Sequence, residues 1–249
     1  MTYIDGFVLA VPNANKLKFI DHADLADPMF VEMGAKRIFE CWGDDVPDGK
    51  VTGFKDAVQA KDDETVVFSW IEWPDKATRD AAMTKLTAQM EGKEPADPRM
   101  DPKLNPMPFD GARMIFGGFT PLIDEGETGS TAISYADGFV TPVPEGKRDA
   151  YRDMATKAAG IFREYGAIRS LEAWGDDVPV GKQTDFSRAV KAEDGEAVVF
   201  SWLEWPDKQT RDAGWAKIMA DERMKPDDMP FDGKRMFWGG FRPVVTVGG

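Results

Sequence analysis

The strongest constraint on this chain is that it says nearly everything twice. "YIDGFVLAVP" at Tyr3 returns as "YADGFVTPVP" at Tyr135, an offset of 132 residues. The same offset carries "ETVVFSWIEWPDKATRDA" at Glu64 onto "EAVVFSWLEWPDKQTRDA" at Glu196. Near the end, "MPFDGARMIFGGFTP" at Met107 matches "MPFDGKRMFWGGFRP" at Met229. The offset there is 122, so the first copy holds ten extra residues, in or near "EGKEPADPRMDPKLNP". Self-similarity on this scale means two copies of one folding unit. We place the first repeat at 1–123, a linker at 124–134 and the second repeat at 135–249.

Within a copy the apolar period alternates. "YIDGFVLAV" predicts a strand closed by Pro12, or by Pro144 in the second copy. Phe19, Ala23, Ala26 and Phe30 fall at helical spacing before Gly34. "AKRIFECWG" predicts a strand with Ile38, Glu40 and Trp42 on one face and Phe39 and Cys41 on the other. "TVVFSWIEW" is an almost unbroken apolar run, the mark of a central strand. Pro74 ends it, and Asp75 is the expected cap of a second helix. "ARMIFGGFTPL" is the last strand, and "GFKDAVQA" is expected to add a short one between the second and third. The order βαββαβ gives an antiparallel sheet with helices on one face and a bare apolar face on the other. Two copies can cover each other's bare faces, sheet to sheet about a pseudo-twofold axis.

"DGFVLAVP", "ECWGDDVPDGK", "VVFSWIEWPDK" and "MPFDGKRM" followed by "GGF" make each half resemble the YbaA-like family of bacterial proteins, a domain of unknown function (1428). The resemblance covers nearly all of both halves. It implies an α+β fold of two tandem ferredoxin-like (βαββαβ) units forming an intramolecular dimeric α/β barrel. Members are usually one unit that pairs as a dimer, so this chain looks like a fused dimer; the family brings no established activity. The second copy departs in its shortened "DERMKPDD" segment.

Charge and composition narrow the function. A formal net charge of -13 repels phosphate backbones and anionic lipid surfaces, so neither nucleic acid nor membrane is an expected partner. The start lacks a basic, apolar, cleavable leader and no apolar run has membrane length, which fits a reducing cytoplasm. Cys41, the single cysteine, has Ala173 as its counterpart, and His22, the single histidine, has Met154. Both are therefore expected to be dispensable. The lone histidine excludes a His-dependent triad or an ordinary zinc site in both halves. No metal and no cofactor are expected.

The candidate site residues are ionisable groups set among aromatics in both copies. Glu40 and Glu72, with Glu172 and Glu204, are the catalytic candidates, because a carboxyl desolvated among tryptophans is a proton-transfer group. If instead each is paired with Arg37, Arg113, Arg169 or Arg235, it is structural; Arg113 and Arg235 are the expected partners. Binding candidates are Trp42, Asp44, Asp45, Trp70 and Arg113, with Trp174, Asp176, Asp177, Trp202 and Arg235. "GDDVPDGK" recurs as "GDDVPVGK", where Pro47 and Gly49 predict a type I turn. Its two aspartates either bond backbone amides or form a carboxylate pair for a cation or basic group.

Three functions stay open. The first is a small-molecule-binding barrel with no assigned reaction. The second is a cofactor-independent enzyme, oxygenase- or isomerase-like, using a desolvated glutamate. The third is a structural or interaction module. The expected partner is a small-molecule ligand, and the internal pseudo-dimer is compatible with a monomer in solution.

Overall fold

The computed structural model describes residues 2–93, 96–127, 133–225 and 229–249. The first half runs β1 (Tyr3–Pro12), α1 (Lys16–Glu32), β2 (Arg37–Asp45), α2 (Phe54–Ala57), β3 (Glu64–Trp73), α3 (Lys76–Met90) and β4 (Ile115–Gly126). The second repeats it as β5 (Tyr135–Pro144), α4 (Arg148–Glu164), β6 (Arg169–Asp177), α5 (Phe186–Ala189), β7 (Glu196–Trp205), α6 (Lys208–Ile218) and β8 (Phe237–Gly248). Asp75 caps α3 by accepting from the Thr78 amide at 2.7 Å, as its position predicts. β4 extends three residues into the stretch expected as linker, of which 128–132 lie outside the described residues.

The eight strands close into one barrel in the order β1-β3-β2-β8-β5-β7-β6-β4. The halves therefore meet in two ways. Their bare faces look inward across the barrel, and their edges zip together, β2 on β8 and β4 on β6. Closure removes both exposed edges that a lone unit would present.

"GFKDAVQA" is a correction. It forms the one-turn helix α2, not a strand, because Phe54 and Ala57, three apart, must both be buried. Phe54 plugs one barrel end, its ring edge-on to Phe68, Phe237 and Phe241; Phe186 of α5 plugs it from the other half against Phe119 and Phe200.

The interior is filled in layers from β3 and β7. Phe68 and Phe200 stack at 4.5 Å between ring centroids, and Trp70 and Trp202 stack at 4.6 Å. Gly6 lies against the Phe200 ring and Gly138 against the Phe68 ring; a Cβ at either would sit 2.9 Å or 2.8 Å from ring carbons. The helices α1, α3, α4 and α6 coat the outside. No helix among the described residues is long and apolar enough to cross a membrane.

Candidate functional site

The predicted site residues do not meet in one place; the structure sorts them into four. The first is the third interior layer. Register puts Arg37 opposite Glu72 on β2 and β3, and Arg169 opposite Glu204 on β6 and β7. Arg37 Nε donates to Glu72 at 2.6 Å and its Nη2 donates to Glu204 of the other half. Arg169 reaches Glu72 at 2.9 Å, Glu204 at 3.2 Å and Asp124 at 2.6 Å. Trp70 and Trp202 donate their indole N–H to Glu72 and Glu204 at 3.1 Å and 2.9 Å. All four members of the quartet are at most 4% exposed, so the charges neutralise one another in a buried layer. A cavity of about 380 Å³ opens on this end, lined by Thr2, Lys36, Arg37, Glu72, Asp124, Arg169 and Gly249. Glu72 and Glu204 are thus the structural kind of glutamate, with Arg37 and Arg169 as partners. Arg113 and Arg235, the partners expected from sequence, do not reach them. Arg113 binds Glu64 and Asp110, and Arg235 binds Glu196 and Asp232. Both arginines lie before β4 and β8, at the outer rim.

The second place is the outer sheet face beneath α1 and α4. Glu40 and Trp42 point there, as do Glu172 and Trp174. Lys16 lies over the Trp42 ring at 4.9 Å, and Arg148 over Trp174 at 5.3 Å. Among the described residues neither glutamate pairs with an arginine. Burial pushes both up to about 7. The surroundings differ between halves. Glu172 accepts from the Tyr151 hydroxyl at 2.6 Å and from Ser201, with Thr141 completing the network. Glu40 accepts from Ser69. Phe19 and Leu9 stand where the second half has Tyr151 and Thr141, and Asp27 stands where it has Ala159.

The third place answers what the repeated acidic word is for. Tyr135 donates to Asp44 at 3.0 Å and Tyr3 donates to Asp176 at 3.1 Å, each across the boundary between halves. Arg211 joins Asp45 to Asp137, and Arg79 joins Asp177 to Asp5, again across the boundary. Further on, Thr52 donates to the Ala189 carbonyl and Thr184 to that of Ala57, both at 2.7 Å. The word is a clasp, written twice because each half grips the other. The expected type I turn is absent: Val46–Gly49 carries no turn and the chain bends at Lys50 and Val51. Gly49 is required by close approach, since a Cβ there would fall 1.6 Å from the Thr52 carbonyl oxygen.

The fourth place is a groove of about 750 Å³ on the first half, between α1 and the segment 104–113. Leu25, Leu104, Pro106 and Phe109 supply its apolar lining, and Lys18, Asp21, His22, Lys61 and Arg113 its polar one. Part of the ten-residue excess builds it. Arg99 binds Glu32 just as Arg223 binds Glu164, which sets the offset at 124 there. Eight extra residues thus precede Asp97, lengthening α3 to 15 residues against 11 in α6. Two more lie between Met100 and Met107, beside Leu104 and Asn105. Asn105 Nδ2 donates to the carbonyls of Arg99 and His22, which turns its Oδ1 toward His22 Nδ1 at 2.7 Å. His22 Nδ1 therefore carries the proton, and burial lowers the imidazole pKa. Part of the second half's counterpart segment, 226–228, lies outside the described residues.

Sequence reasoning missed Asp27, Asn105 and the buried pair Asp5 and Asp137. The last two carried a signal, an aspartate at the same strand position in "YIDGF" and "YADGF". Among the described residues no group of three or more His, Cys, Asp or Glu side chains could hold a metal ion.

A barrel closed by two like units, clasped by reciprocal acidic loops and cored by an ion quartet, is a dimeric α/β barrel carried on one chain. The chain belongs to the family described as Protein of unknown function (DUF1428), which it matches over residues 2–111 and 134–233. It is 57% identical to the uncharacterized protein YbaA of Escherichia coli strain K12 over 115 residues, 45% of this chain and 98% of YbaA. A protein of Lactobacillus acidophilus NCFM, provisionally named a monooxygenase, shares the fold at a TM-score of 0.57 and 9% identity, covering 99% of this chain and 96% of that one. A provisionally named monooxygenase of Fusobacterium nucleatum subsp. nucleatum gives a TM-score of 0.56 at 12% identity, covering 99% and 94%.

Proposed function

We propose that the protein is a small-molecule-binding α/β barrel whose ligand lies in the groove between α1 and the segment 104–113. The observation that carries this reading is the groove itself. Its volume of about 750 Å³ falls in the range of small-molecule sites. It sets an apolar floor beside Lys18, Asp21 and Lys61, which make no ion pair among the described residues. Arg113, held by Glu64 and Asp110, is wall rather than recognition group. The test is a titration of the intact, nitrogen-15-labelled chain with a library of small aromatic carboxylates and amines. Saturating amide shifts at Leu25, Asn105 and Phe109 are expected. Shifts confined to Lys36 and Asp124 at the barrel end, or saturation nowhere, would refute the reading.

A second reading, a cofactor-independent enzyme, is favoured by Glu40 and Glu172. Burial holds both near neutrality, where a carboxyl can give and take a proton. The names of the two fold neighbours point the same way. It stays second because neither glutamate lines the groove or the barrel-end cavity.

A further inference from the structure

The two halves bury the same glutamate and supply it differently. Glu172 is met by hydroxyls, Tyr151 and Ser201 on it and Thr141 behind. A carboxylate accepts readily from such donors, so Glu172 needs nothing else. Glu40 has the Ser69 hydroxyl, and the two other donors are gone, replaced by Phe19 and Leu9. In their stead stands Asp27, 7% exposed on the inner side of α1, with Oδ2 buried and without a hydrogen-bond partner. Glu40 and Asp24 are the charges that face it, and no cation among the described residues pairs with Asp27 or Glu40. On β8, Val245 lies opposite Glu40 and brings no charge. Two ionised carboxyls facing each other beneath α1, with one hydroxyl donor to Glu40 and none to Asp27 Oδ2, would repel each other and leave an oxygen without a donor. One proton removes both problems, since a protonated Asp27 becomes a donor.

We infer that Asp27 and Glu40 hold one proton between them beneath α1, a carboxylic acid–carboxylate pair that the second half does not possess. The pair fixes α1 to the sheet, and the outer side of α1 carries Lys18, Asp21, His22 and Leu25 of the groove. Because the folded state keeps this proton to higher pH than the unfolded chain, its contribution to stability is complete below the ordinary carboxylate range. That contribution is lost as pH rises toward about 7.

The test is carbon-13 NMR of the side-chain carboxyls of the intact chain across acid to mildly alkaline pH, with no ligand present. Its failure therefore leaves the groove reading untouched. Two steps, each seen at both Asp27 and Glu40, are expected, the upper one with a midpoint well above the usual carboxylate range. In Asp27→Ala, which installs the residue of the second half, Glu40 should lose its second step and titrate in one, as Glu172 does, while Glu172 stays put. Asp27→Asn serves the same purpose if the alanine variant does not fold. The inference is overturned if both carboxyls titrate in the ordinary range, or if the Glu40 titration is the same in both variants as in the wild type. It is equally overturned if magnesium, calcium or zinc ions shift the wild-type steps, since a cation would then occupy the place assigned to the proton.

Discussion

Arg169→Met should destabilise the protein by about 3–5 kcal/mol, the usual cost of leaving a buried charge without its partner. Arg169 is 1% exposed and holds Glu72, Glu204 and Asp124 at once. Without it, Glu72 and Glu204 are left to Arg37 and Asp124 loses the guanidinium it pairs with. Arg223→Met is the control. Its pairing with Glu164 is equally short, at 2.7 Å, but both side chains are more than half exposed. Exposed pairs contribute only about 0–1 kcal/mol. Urea unfolding at neutral pH with unchanged slope separates the two. Equal, small losses in both variants would mean that the quartet is solvated and not the interior layer described above.

Gly138→Val is expected to cost about 3 kcal/mol. A Cβ at Gly138 lands 2.8 Å from ring carbons of Phe68, which is itself stacked on Phe200 at 4.5 Å. Neither ring can retreat, because Gly6 backs Phe200 on the far side at the same close range. Overpacking a filled core typically costs about 1–3 kcal/mol, occasionally more. Here the strain crosses between halves, so the upper end is expected. The double variant Gly138→Val with Phe68→Leu should recover part of the loss, as measured by thermal unfolding. No loss in the single variant would contradict the layered interior.

Much of the architecture follows from the sequence because duplication turns one unit into a matching problem. The offset of 132 held from Tyr3 to Trp73, and alternation in "RIFECWG" correctly split Phe39 and Cys41 from Ile38, Glu40 and Trp42. Parity does not say which face is inside, however. Glu40 and Glu72 both sit beside tryptophans, yet register sets Glu40 opposite Ser69 and Glu72 opposite Arg37, one outside the barrel and one within. Arg113 looked like a partner because "ARMIFGGF" reads as a strand of the same sheet, but the strand begins at Ile115 and Arg113, just before it, binds Glu64. Asp27 gave no warning, since an acid on a helix reads as solvated unless the helix face is known. "GFKDAVQA" misled because a one-turn plug has too few residues to show a period. The acidic word could be read as important in both halves, but its partners, Tyr135 and Tyr3, lie in the opposite half and only barrel closure brings them near.

Scanning calorimetry of the intact chain tests most directly the claim that the two halves share one barrel. The shared interior and the two inter-half seams tie the helix-covered clusters of both halves into one unit, so a single transition is predicted. Its calorimetric and van't Hoff enthalpies should agree, as for a two-state domain. Two resolved transitions, or a van't Hoff enthalpy near half the calorimetric one, would show two independent units and contradict the account.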